Sequence, residues 1–132
     1  MTNKEYLQDY ARQATIADLN EDTKAEALKA LERLPAIPKR DETGEAQRQL
    51  IIELRKVIAE CDARSAEARQ KCEEIQGAIN GVQDLRQRTI LQLRYTQRPP
   101  ETWERIADRL NYTFEHCHNI HRQALKNITQ RP

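Results

Sequence analysis

The chain has 132 residues, 33% of them charged, with 3 Gly, 5% aromatics and a net charge of +1. So few glycines and aromatics, with abundant Ala, Leu, Gln, Glu, Lys and Arg, favour an all-α chain with extended coiled-coil-like parts. The charge is uneven. Residues 1–83 hold 13 basic and 16 acidic side chains, a balance of −3, whereas residues 84–132 hold 9 and 5, a balance of +4, together with all 3 His. A polyanionic partner is therefore directed to the C-terminal part.

Three cysteines (Cys61, Cys72 and Cys117) form an odd set without a secretory signal. That argues for a reducing, cytoplasmic setting. The first ten residues, MTNKEYLQDY, have no apolar signal core, and no apolar run reaches the ~20 residues that span a bilayer.

Residues 2–34 read as helical. Thr2 and Glu5 fit a capping box, and Tyr6, Leu7, Tyr10, Ala14 and Ala17 make a loose apolar face. The pattern falters over Leu19–Thr23. Thr23 with Glu26 offers a second capping box, and Ala25, Leu28 and Leu31 resume a stripe, so the segment reads as one helix or two. Pro35 and Pro38 end it and make residues 35–44 a connector.

Residues 45–80 carry the strongest helical pattern. Ile51, Leu54, Ile58, Cys61, Ser65, Ala68, Cys72, Ile75, Ile79 and Val82 alternate steps of three and four, a heptad seam. Its middle is small and buries little area per turn. Such a helix needs a partner, either the N-terminal helix folded back or a second copy of the chain. Asn80-Gly81 then offers a left-handed helix end, and Asp84 with Gln87 a fresh capping box for LRQRTILQLRY.

The last third carries the functional signal. Thr102 is placed to cap a helix in which Trp103, Ile106, Ala107 and Leu110 share one face. Asn111-Tyr112 is the turn, with Asn suited to a positive φ, and Thr113 caps the last helix. There Cys117, Ile120, His121, Ala124, Leu125 and Ile128 line one face, opposite Glu115, Asn119, Arg122 and Lys126, with His116, His118 and Gln123 at the flanks. Two helices joined this way form a helix-turn-helix, whose second helix enters the major groove of double-stranded DNA. Glu115, His116, Asn119 and Arg122 are the candidates for base edges. His118, Lys126, Arg105 and Arg109 are the candidates for phosphate.

The motifs LRQRTILQLRY, TWERIADRL (Thr102–Leu110), Tyr112-Thr113 and IHRQAL (Ile120–Leu125) resemble region 4 of bacterial sigma factors. With Glu5–Leu7 (EYL) and the charged helical middle, the chain is similar to the RinA and ArpU type of phage late-transcription regulator. That resemblance implies a coiled-coil N-terminal part and a sigma-like DNA-binding end. Four positions depart from the pattern. Arg105 stands at a usually acidic site, Asn111 at a usual Gly, Cys117 at a β-branched core site, and Phe114 is bulky at the first helical position.

Cys117 and His121 lie four apart, a spacing that can clamp zinc. A zinc site needs four ligands from separated segments, so the better reading is a small core cysteine and a packed histidine bonded to a nearby carbonyl. No Gly-rich phosphate loop, nucleophile elbow or other catalytic grouping occurs, and no cofactor or metal is expected.

The expectation is thus a helical hairpin or coiled-coil region over residues 1–82, then a three-helix helix-turn-helix domain over 83–132. The function expected is that of a non-enzymatic, sequence-specific transcriptional regulator, phage or prophage encoded. Its N-terminal helices would supply a homodimer interface or a contact to RNA polymerase. Two alternatives remain: a small terminase-like DNA-packaging subunit, and a protein-interaction module docking on RNA polymerase.

Overall fold

A computed structural model describes residues 1–34 and 44–130; the expected connector, except Gly44, lies outside the described residues. The described residues are all-α: α1 (Asn3–Arg33), α2 (Gly44–Asn80), α3 (Leu85–Leu91) widening into a π-helical turn (Gln92–Thr96), α4 (Trp103–Leu110) and α5 (Phe114–Lys126). Long N-terminal helices thus precede a C-terminal helix-turn-helix unit. Among the described residues, no helix is long and apolar enough to cross a membrane.

Helix α1 is one helix. The residues that could have broken it turn their side chains back onto it. Asn20 Nδ2 donates to Ile16 O at 2.8 Å and Thr23 Oγ1 to Leu19 O at 3.0 Å, so both bond within the helix instead of capping a new one. Thr2 caps the start, its hydroxyl accepting from the Glu5 N–H at 3.1 Å.

Two compact units are present, one of Thr15–Arg69 and one of Met1–Ala14 with Gln70–Pro132. In the first, α1 and α2 run antiparallel within the chain. The Glu21 carboxylate accepts from Ser65 Oγ at 2.8 Å and pairs with Arg69 at 3.1 Å, while Lys24 reaches Asp62 at 2.7 Å. The buried residues here are small: Ala17, Ala27, Cys61, Ser65 and Ala68. The α1 stripe differs from the expected one. Ala27 is buried, whereas Ala25 and Leu28 are exposed and Leu31 is half-buried, because the α1 seam continues through Glu21 and Lys24.

In the second unit two apolar clusters form. One joins Leu7 of α1, Ile75 and Ile79 of α2, and Val82 to Leu91, Tyr95, Ala124 and Ile128. The other joins Ile90, Ile106, Ala107, Cys117 and Ile120, with Leu93, Trp103, Leu110 and Tyr112 against it. The π-helical turn extends α3 so that Leu91 and Tyr95 join the first cluster while Ile90 and Leu93 join the second. Helix α5 is therefore held on two sides. Asn3 adds a polar fastening: its Nδ2 donates to the carbonyls of Leu125 at 2.6 Å and Ile128 at 3.2 Å, the first of which also accepts from the Ile128 N–H at 3.4 Å where α5 ends.

The expected left-handed Gly81 is not found; no described glycine has positive φ. The chain instead keeps turning. Gly81 N–H donates to Gly77 O at 3.0 Å and Val82 N–H to Ile79 O at 3.1 Å, which delivers Val82 into the first cluster. Asp84 caps α3 as expected, accepting from the N–H groups of Arg86 (2.9 Å) and Gln87 (3.1 Å), and these bonds lower its carboxyl pKa. Gln87 does not reciprocate; its side chain accepts from Asn127 Nδ2 at 2.7 Å.

Because Leu7 is fully buried, Leu7→Ala should lower stability by about 2–5 kcal/mol in chemical denaturation. For the same reason a fragment of residues 83–132, lacking Leu7, Ile75, Ile79 and Val82, should lose the cooperative thermal transition of the full chain. A fragment that unfolds as sharply and as late as the whole protein would show that those residues do not support α5.

Candidate nucleic-acid interface

The geometry of α4 and α5 begins with their caps. Thr102 Oγ1 accepts from Arg105 N–H at 3.3 Å, so the forward half of the cap survives although Arg105 cannot return the bond as a Glu would. At the other end, Asn111 adopts φ 57° and ψ 41°. Asn111 N–H reaches Asp108 O at 3.3 Å and Tyr112 N–H reaches Ala107 O at 3.0 Å, the paired bonds of a Schellman ending. Tyr112 then packs on the second cluster. One residue later Thr113 starts α5, its hydroxyl accepting from His116 N–H at 3.1 Å. The tight turn thus has both of its flanking helix ends capped.

Helix α5 buries Cys117, Ile120, His121 and Ala124, and Ile128 just past its end is buried too. Cys117 sits at full burial, which pushes its thiol pKa up. His121 accepts or donates a buried bond with the Tyr95 hydroxyl at 2.7 Å, so its partner is a side chain, not the carbonyl expected from sequence. Burial, then the nearby charges of His118, Lys4 and Arg94, lower the His121 pKa to about 4. Burial likewise raises Tyr95 to about 12. A neutral imidazole whose Nε2 accepts the Tyr95 proton satisfies both groups.

The remaining face of α5 is open. Glu115, His116, Asn119, Arg122 and Lys126 are all exposed, as are Arg105 and Arg109 on α4. Not all are free. Arg122 donates to the Asn119 side chain, so the two form a joint donor–acceptor pair one helical turn long. Arg109 is engaged with Glu101 at 3.2 Å. His116 stands edge-on to Tyr112 at 4.8 Å between ring centres. His118 is half-buried between Trp103 and Phe114, 4.4 Å from each. Phe114 remains 52% exposed, neither fully inward nor isolated.

Sequence reasoning gave no role to Arg94 or Lys4. The Arg94 guanidinium lies over the Trp103 ring at 5.0 Å and donates to Glu101 O at 2.9 Å. Lys4 and Arg94 both contribute to the positive field at His121. Nothing in the sequence links position 4 to α5; that juxtaposition exists only once Leu7 and Asn3 have docked.

Residues 84–130 match the family described as Sigma-70, region 4. The match covers a little over a third of the chain, and it falls on the elements just described: the capped α3, the turn at Asn111 and the capped α5. These residues form a sigma region 4-like helix-turn-helix, a domain type that binds DNA. No curated protein and no solved structure matches the chain.

The His121 environment fixes a pH dependence. Its folded-state pKa of about 4 lies below the ordinary 6.5. Between those values the unfolded chain binds a proton that the folded chain refuses. The resulting stability is fully present above pH 6.5 and is lost as pH falls towards 4, to a maximum of about 3 kcal/mol. Urea denaturation at pH 7.5 and pH 5 should show the loss, and His121→Gln should flatten it. Equal stability of the wild type at both pH values would refute the assignment.

Proposed function

We propose that the chain is a sequence-specific DNA-binding transcriptional regulator, phage or prophage encoded and of the RinA and ArpU type, that reads the major groove with α5. One observation carries this reading. The exposed row Glu115, Asn119, Arg122 and Lys126 lies on a helix whose other sides are buried in two apolar clusters, within a segment matching sigma region 4. A helix held this way presents its polar face at a fixed angle, which base readout requires.

In this mechanism, the Arg122–Asn119 pair approaches the base edges as a preformed unit. Arg suits the two acceptors of guanine and Asn the donor and acceptor of adenine. Glu115 and His116 lie nearest the start of α5, where the Thr113 cap also leaves backbone N–H groups able to meet a phosphate. Lys126 and Arg105 contribute phosphate contacts, and Arg109 joins them on leaving Glu101. The N-terminal helices supply a homodimer interface or a contact to RNA polymerase. No catalytic step is assigned.

Selection of bound duplexes from a random pool should return a defined consensus, palindromic if two copies bind together. Arg122→Ala should weaken binding to that consensus by about 1–3 kcal/mol and relax the preference at one position. If the wild type selects no sequence and shows no salt-dependent affinity for any duplex, the DNA reading fails in favour of a protein-docking role.

A further inference from the structure

The polar row of α5 continues sideways into a cleft of about 370 Å³. Within the unit of Met1–Ala14 and Gln70–Pro132, three segments far apart in sequence each bring a permanent cation to it: Lys4 from α1, Arg94 from the π-helical turn and Arg122 from α5. None of the described residues lining it is acidic. Trp103 and His118 form one aromatic wall, their rings 4.4 Å apart. The His118 Nε2 atom is enclosed and has no hydrogen-bond partner among the described residues.

Three cations around one hollow repel one another weakly through water, and an anion seated there offsets that repulsion. Arg94 spends one N–H on Glu101 O and keeps others available. The positive field is felt locally, since Lys4 and Arg94 both disfavour a proton on His121. The hollow is larger than a lone phosphate and has room for a sugar as well. Arg122 and His118 border both this cleft and the outer face of α5, so a duplex lying along α5 passes its mouth.

We infer that the cleft is a phosphate subsite of the DNA interface, in which Lys4 and Arg94 hold one backbone phosphate with its sugar against Trp103, while Arg122 at the rim stays turned to the base edges with Asn119. The first turn of α1 is then part of the DNA-contacting surface, although it lies outside the segment that matches sigma region 4. This inference rests on the DNA-binding reading and adds to it a contact that is blind to base sequence.

Trp103 is the single tryptophan of the chain and stands in the wall of the cleft, so its fluorescence reports occupancy directly. Lys4 is exposed, and Lys4→Gln should leave the fold intact. Titrating the full-length protein with a selected duplex should change the Trp103 emission. Lys4→Gln should weaken selected and scrambled duplexes by the same several-fold factor and reduce the salt slope by about 1. Lys29→Gln, an exposed lysine elsewhere on α1, should change neither. Wild-type affinity and slope in Lys4→Gln would overturn the inference. Should the wild type bind no duplex at all, the DNA reading fails separately, and titration with deoxythymidine 5′-monophosphate decides the cleft. A saturable change in Trp103 emission that Lys4→Gln abolishes keeps it as a phosphate site for a free nucleotide, and no change removes it.

Discussion

The two-sided burial of α5 is the constraint on which the C-terminal architecture depends. A helix of 13 residues is marginal alone in water, because its nucleation cost is recovered only by packing. Here Cys117 and Ile120 serve one cluster, and Ala124 and Ile128 the other. Between the clusters, the bond of Tyr95 to His121 crosses from the π-helical turn to α5. Polar groups at such a site are costly unless paired, so this bond favours one register of the two elements over shifted alternatives.

Much of this arrangement was legible in the sequence because it rests on local chemistry. Thr102, Thr113 and Asp84 announced helix starts, and each cap is formed. Asn111 announced a positive φ, which it adopts. The face of α5 followed from its period alone. What the sequence concealed was long-range. Asn20 and Thr23 read as breakers, yet each bonds one turn back. Gly81 read as a left-handed cap, but the pull of Val82 into the core keeps the chain turning the ordinary way. The Tyr95–His121 partnership and the approach of Lys4 to α5 span 26 and over 100 positions, beyond any periodic signal.

The unit of Thr15–Arg69 is built on different physics. Its buried residues are alanines, a cysteine and a serine, which bring two helices close while removing little apolar area from water. The register is marked by polar groups: Glu21 divides between Ser65 and Arg69, and Lys24 faces Asp62. The Lys24–Asp62 pair is open to solvent and contributes little stability by itself. The Glu21–Ser65 bond differs, because Ser65 is buried and its hydroxyl donates across the helix pair, which favours the register that brings the two together.

That contrast bears on how the candidate interface is oriented. Leu7 and Asn3 belong to α1, yet their partners include Tyr95, Leu125 and Ile128. The side chain of Asn3 donates to the carbonyls at the end of α5, and Gln130 closes over it by donating to Asn3 Oδ1 at 2.7 Å. The start of the chain thus fixes the end of the helix whose outer face carries Arg122 and Lys126. A sigma region 4-like unit built only from α3, α4 and α5 would leave Leu91, Tyr95 and Ile128 open to water. With the first turns of α1 and the last turns of α2 in place those residues are covered, and the angle at which α5 meets a partner is set by residues from both ends of the chain.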